Sequence, residues 1–164
     1  ETELQEIGNT NRKAKTTPYG GQYIIGALYQ LGRADVAESF IRKYWSFMIL
    51  QGDDTAWENF YIDPHESKSH GWSAAPTFYM STKTLGVQLG WPEPTDLSKI
   101  TIAPQSANLT WARGVVPHPL GNVYVEWKVK DDKLFLNYTA PENAEVVIEP
   151  TGRLGEMELA VSKL

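Results

Sequence analysis

Two short runs in the middle of the chain hold the residue types that could do chemistry: Trp57-Glu58-Asn59-Phe60 and Ser69-His70-Gly71-Trp72. Glu58 stands between aromatics, and His70 follows twelve positions later beside another tryptophan. A carboxylate can take a proton from water, and aromatic faces suit the apolar side of a pyranose. The two runs therefore outline half of a sugar-hydrolysing site. The stretch between them, Tyr61 to Lys68, is polar and lies between two helical patterns, where catalytic loops sit on a rigid scaffold. On chemistry alone the same residues could equally pack a loop.

The neighbouring residues support no competing chemistry. Asp63, His65 and Glu66 are conceivable ligands for a divalent ion, but such spacing is common in polar loops without a metal, so no metal and no cofactor is expected. Ser67, Ser69 and Ser73 have no base-and-acid partners at triad-like positions, which argues against a serine hydrolase. His118, between Pro117 and Pro119, reads as a surface turn residue. Six tryptophans and eight tyrosines are the compositional oddity. Core packing is the default explanation for each, yet a cluster of them around a polar loop is also what a sugar subsite requires.

At 164 residues the chain has room for one domain or two small ones, and 41% apolar residues with no low-complexity tract imply a folded protein. A net charge of −5 without a basic stripe argues against nucleic acid as a partner. No run approaches the roughly 18 to 20 apolar residues that span a bilayer, so membrane insertion is not expected. The absence of cysteine removes disulfides, thiolate metal sites and a thiol nucleophile together, without identifying a compartment. The chain begins at Glu1 without a methionine and reads as a piece of something longer.

The elements that must position these residues come in two kinds. After a polar start, Thr17-Pro18 reads as a helix cap and first turn, and Tyr23, Ile24, Ala27, Leu28 and Leu31 form a helical stripe ending at Gly32. A second helix starts near Asp35 with Ala37, Ile41, Tyr44 and Met48 as its stripe and stops near Gly52, making an antiparallel hairpin. Both faces of this hairpin are apolar, as in a pair that packs against further helices. A third helix is expected from about Ser73 to Leu85, with Ser73 as cap, and a Gly/Pro linker from Gly86 to Pro94. From Ile100 onward the period changes to alternation. Short strands over residues 99–102, 109–115, 123–129, 134–138, 146–148 and 156–161, separated by Gly, Pro and Asp-Asp turns, predict a small antiparallel β-sandwich.

The ordered motifs resemble the C-terminal end of bacterial α-L-rhamnosidases, inverting glycoside hydrolases built on a six-hairpin α/α toroid. The resemblance runs through Thr17-Pro18-Tyr19, Gly32-Arg33-Ala34-Asp35, Tyr44-Trp45, Thr55 to Phe60 and Ser69 to Pro76. In the β part it rests on Leu109 to Gly114, Val116-Pro117 and Gly121 to Trp127. It implies an α+β chain in which residues 1–94 are the last helices of the toroid catalytic domain and 95–164 a C-terminal β-sandwich. It further implies that Glu58 is the general base, that His70 lies in the sugar pocket, and that the general acid lies in an earlier motif absent here; on their chemistry Trp57 and Trp72 are candidates to stack on the sugar. The partner so implied is a rhamnose-containing glycoside or polysaccharide, and the exposed toroid edge points to self-association. The bacterial cytoplasm, the periplasm and secretion all stay open.

Inverting hydrolysis needs an acid on the leaving oxygen and a base on a water at the opposite face, with the two carboxyls roughly 6.5 to 9.5 Å apart. A glutamate carboxylate suits the base because it is ordinarily ionised near neutral pH. Glu58 as a helix-end carboxylate, His70 as a structural histidine and either tryptophan as loop packing stand beside those roles. The rival of another class is a non-catalytic carbohydrate-binding or scaffold module, built on Trp111, Tyr124 and Trp127 of the β part.

Overall fold

The computed structural model describes residues 16–62, 64–88 and 97–164. It divides into two compact units, Glu1–Phe78 and Tyr79–Leu164. Outside the described residues lie most of the expected polar start, Asp63 of the conceivable metal set, and Gly90, Pro92 and Pro94 of the expected linker. The class is α+β, helices first and strands after.

In the first unit, helix α1 (Pro18–Gln30) starts as its sequence predicts. Thr17 is extended (φ −94°, ψ 167°) and its hydroxyl accepts a hydrogen bond from Gly20 N, while Pro18 fills the first turn, where its missing N–H costs nothing. The helix ends at Gly32, whose φ of +71° lets its N–H reach Tyr29 O (3.1 Å) and the N–H of Arg33 reach Leu28 O (2.8 Å). Helix α2 (Ala34–Leu50) follows at once. Arg33 holds Asp35 in its first turn through two hydrogen bonds of 2.9 Å, which keep the Asp35 carboxyl below its usual range.

The buried stripe of α1 is not the expected one. Pro18, Gly21, Ile25 and Tyr29 face inward, whereas Tyr23, Ile24, Ala27 and Leu31 are exposed and Leu28 is half-buried. The reason is Gly21. A Cβ there would lie 3.0 Å from Trp45 Cη2 and 3.3 Å from Phe40 Cε1, so the inward face runs through a residue with no side chain to count as apolar. On α2, Ala37 and Met48 are buried as expected, joined by Ala34 and Trp45, while Ile41 and Tyr44 are half-buried.

The third helix is broken into a 3₁₀ turn (Gly71–Ser73), a short helix α3 (Ala75–Tyr79) and a π turn (Met80–Thr84). Ser73 does not cap it: its hydroxyl is buried with no hydrogen-bond partner among the described residues. The π turn, closed by Leu85 N donating to Met80 O (2.8 Å), turns successive carbonyls toward outside donors. Thr82 O accepts from Gln88 Nε2, Lys83 O from Gln105 N (2.8 Å) and Thr84 O from Trp127 Nε1 (2.8 Å). Carbonyls that a helix end would leave orphaned are thereby satisfied.

The strands of the second unit are β1 (Val87–Gln88), β2 (Lys99–Ile102), β3 (Trp111–Val116), β4 (Val123–Lys130), β5 (Lys133–Thr139), β6 (Glu145–Ile148) and β7 (Glu158–Lys163). They form two sheets, β1-β2-β6 and β3-β4-β5-β7. Both contribute to one buried cluster, with Ile100 and Ile102 from the first and Val125, Trp127, Leu134 and Leu136 from the second. Three pairings are antiparallel as expected, but β2·β6 and β5·β7 are parallel. The chain leaves β5, crosses to the other sheet as β6 and returns as β7, which is the crossover a parallel pair requires. A 3₁₀ turn (Gly152–Glu156) occupies the start expected for the last strand.

The β4–β5 hairpin closes on two residues, Asp131 and Asp132, at φ 50° and 57°, between the paired Lys130 and Lys133. Left-handed backbone at both central positions matches the strand twist but is costly for any residue with a Cβ. Asp132→Gly is therefore expected to stabilise the chain by about 0.5–1 kcal/mol, read as a higher urea midpoint at unchanged slope.

Candidate functional site

The site is a folded-back loop that follows α2. Gly52, at φ +81°, ends the helix and releases the chain outward. Two limbs then run side by side. Glu58 N donates to Ser67 O (2.8 Å), His70 N donates to Ala56 O (2.8 Å), and Thr55 Oγ1 donates to Lys68 O. These bonds bring the Trp57-Glu58 and Ser69-His70-Gly71-Trp72 runs together across the intervening residues.

On the outgoing limb, Trp57, Asn59 and Phe60 turn inward and Glu58 stays half-exposed. Phe60 packs edge-on to Trp45 (centroids 4.7 Å apart) and tilted against Tyr44 (5.0 Å). On the returning limb, Trp45 Nε1 donates to Ser73 O (2.7 Å) in a buried bond that anchors the 3₁₀ turn beside α2.

Glu58 Oε2 accepts from Ser67 N (3.2 Å) and lies 3.9 Å from His70 Nδ1. That distance allows an ion pair when the imidazole is protonated but is too long for a direct hydrogen bond. The two side chains keep 39% and 29% exposure, so both are reachable from solvent. One carboxylate oxygen is thus tied to the loop backbone, and a half-exposed carboxylate next to an imidazole can orient a water and take its proton. Trp72 stands edge-on to His70 (centroids 6.0 Å apart) and is 63% exposed.

Trp57 is placed differently from the other candidates. It is 2% exposed, its backbone N–H donates to Met48 Sδ (3.3 Å), and its ring meets Phe47 edge-on at 5.6 Å. Lys68 Nζ lies 4.3 Å from its ring centroid and is fixed there by Asp53 (2.9 Å). A cation over the ring of a buried indole leaves no face for a pyranose, so the stacking expected of Trp57 is replaced by support of the loop from beneath. Its Nε1 has no hydrogen-bond partner among the described residues.

The sequence reading missed Tyr19. It stacks on Trp72 (centroids 4.6 Å apart, planes 30° apart) and accepts a hydrogen bond from the Tyr23 hydroxyl (3.2 Å). The signal is the Tyr19/Tyr23 spacing of one helical turn next to the cap, but apolar periodicity assigns Tyr23 to the core stripe.

Comparison with known proteins gives the chain its relatives. Residues 95–159 match the family model described as the bacterial alpha-L-rhamnosidase C-terminal domain. The chain is similar to the C-terminal portion of bacterial α-L-rhamnosidases. An alpha-L-rhamnosidase of Formosa agariphila is 27% identical over 160 residues, 89% of this chain and 17% of that protein. The crystal structure of a GH78 family rhamnosidase of Bacillus sp. GL1 matches with a TM-score of 0.75 and 31% identity, over 90% of this chain and 16% of that one. The alpha-L-rhamnosidase of Streptomyces avermitilis, solved with L-rhamnose, shares the fold at a TM-score of 0.66 and 21% identity, over 79% of this chain and 14% of that one. The chain thus spans about a sixth of the length of these rhamnosidases. The resemblance carried by the sequence motifs holds.

Because Trp57 is buried under the loop, Trp57→Ala is expected to lower stability by about 3–5 kcal/mol. Trp57→Phe, which removes no hydrogen bond seen among the described residues, should cost clearly less. Denaturant unfolding of both variants checks this, and equal, near-zero losses would contradict a supporting role.

Proposed function

We propose that the chain is the C-terminal part of a glycoside hydrolase that removes terminal α-L-rhamnosyl groups with inversion, and that Glu58 is its general base. The observation that carries this reading is the Glu58 carboxylate, half-exposed and backbone-anchored 3.9 Å from His70, in a chain similar to α-L-rhamnosidases. In the proposed reaction Glu58 takes a proton from water as the water oxygen bonds to the anomeric carbon. The bond to the leaving oxygen breaks on the opposite face, where a carboxylic acid outside this chain protonates it. His70 binds sugar hydroxyls, and Trp72 offers an aromatic wall. A toroid end over residues 1–94 and a β-sandwich domain over 95–164 is supported by a family match that begins at residue 95, with the stretch from Tyr79 grouped with the sandwich by its contacts and by the pairing of β1 with β2. The exposed Ile24, Leu31, Ile49 and Leu50 support self-association of the chain when it stands alone.

A second reading rests on one observation. Trp111 is 60% exposed at the edge of the four-stranded sheet, paired in register with Lys128, whereas Trp127 is fully buried. An exposed tryptophan on an edge strand would suit a carbohydrate-binding module. Saturable sugar binding by the chain that Trp111→Ala abolishes would favour it.

For the enzyme, Glu58→Gln in the full-length protein is expected to lower kcat on a chromogenic α-L-rhamnoside by roughly 10²–10⁴-fold with an unchanged circular dichroism spectrum. Near-normal turnover would remove Glu58 from the mechanism. The 164-residue chain alone should cleave nothing, because the proposed reaction draws its acid from outside these residues.

A further inference from the structure

Beyond Glu58, His70 and Trp72 the first unit holds an aromatic row that the proposed reaction leaves unused. Tyr23 donates its hydroxyl proton to Tyr19 Oη (3.2 Å), and the two rings meet edge-on at 5.4 Å. Tyr19 in turn stacks on Trp72, and Trp72 stands edge-on to His70. A helical turn therefore leads from Tyr23 through Tyr19 and Trp72 to the Glu58–His70 pair.

The chemistry of inversion fixes what such a row can touch. The base serves a water on the face opposite the leaving group, so a wall next to the base borders the sugar being released and not the aglycone. Tyr19 covers one face of the Trp72 ring. A ring that is still 63% exposed must offer most of the other. Trp72 sits in a 3₁₀ turn, a short element that does not by itself fix a side-chain rotamer. A second ring, planted on the first turn of a capped helix, does so.

We propose that Tyr19 is a positioning residue. Backed by Tyr23, it holds the Trp72 ring as the wall that receives the apolar edge of the glycone, and so contributes to the choice of a 6-deoxy sugar over its 6-hydroxy counterpart. The inference rests on the rhamnosidase reading above. A 6-deoxy sugar presents a methyl group where its counterpart presents a hydroxymethyl, and a flat apolar wall held at a fixed distance rejects the added hydroxyl by about 10²-fold at most. A wall free to tilt loses that discrimination and also loses ground-state binding.

The test uses the full-length enzyme with p-nitrophenyl α-L-rhamnoside and p-nitrophenyl α-L-mannoside. Wild type and Glu58→Gln are compared first: if no rhamnoside is cleaved, or if Glu58→Gln is fully active, the rhamnosidase reading itself has failed. With that reading intact, Tyr19→Ala is expected to raise KM for the rhamnoside about three- to tenfold and leave kcat within threefold. It should also shrink the rhamnoside-to-mannoside ratio of kcat/KM several-fold. Tyr19→Phe, which keeps the stacked ring and drops only the hydroxyl, should stay within twofold of wild type on all three measures. If Tyr19→Ala does not fold, Tyr19→Leu, which keeps bulk without a flat face, takes its place with the same expectation. An unchanged sugar ratio in the Ala or Leu variant overturns the proposal. So does a Tyr19→Phe variant as impaired as the Ala variant, since the hydroxyl and not the ring would then be at work.

Discussion

The buried hydrogen bond from Trp45 Nε1 to Ser73 O, 2.7 Å long, is the contact on which the geometry of the candidate site depends. Trp45 belongs to α2, touches Phe40 and Phe60, and lies where Gly21 of α1 has no side chain. Its indole N–H lies buried beside that aromatic cluster, and the carbonyl it finds belongs to the 3₁₀ turn that presents Trp72 and follows His70. A buried donor left without a partner costs about 1–3 kcal/mol, so the turn is held by a penalty as well as by an attraction. A Cβ at position 21 would press on Trp45 and Phe40, which would each have to give by a few tenths of an ångström.

That anchoring explains how a loop can serve as a precise site. Glu58 and His70 come from two limbs joined by backbone hydrogen bonds, and each limb is pinned beneath by an aromatic side chain, Trp57 on one and the Trp45 contact on the other. The polar side chains then have only their own rotamers left to settle, and Ser67 N restrains one oxygen of Glu58. Loops carry function when a rigid scaffold fixes their ends. Here the scaffold also reaches under the middle.

Much of this was legible in the sequence because it is local. Thr17-Pro18 and Gly32 bound α1 through interactions spanning a few residues, and the alternation of residues 123–129 locates β4 because every second side chain must be apolar. The Asp-Asp turn was readable for the same reason. What failed was non-local. The inward face of α1 is set by a glycine and by aromatics twenty or so positions away, which no periodicity of α1 itself records. The parallel β5·β7 pairing depends on where the chain returns after β6, and strand patterns do not fix direction. Trp57 and Trp72 look alike in sequence, each beside a chemical residue, yet one is buried and the other open. Only the pairing of the two limbs separates them.

The two units solve one problem in the same way. In each, a tryptophan at the core donates its N–H to a carbonyl at a place where a helical segment departs from α geometry: Trp45 to Ser73 in the first, Trp127 to Thr84 in the second. A large side chain with one donor fills volume and still names a single acceptor, so it sets orientation where aliphatic packing would allow a range. In the first unit that precision is aimed at a half-exposed carboxylate and its aromatic surroundings. In the second it closes a sandwich whose four-stranded sheet carries the exposed Trp111. A catalytic group needs its partners held to within a fraction of an ångström, whereas a binding face tolerates more. The anchoring beneath Glu58 and His70 is therefore what supports the proposal that the chemistry belongs to the first unit.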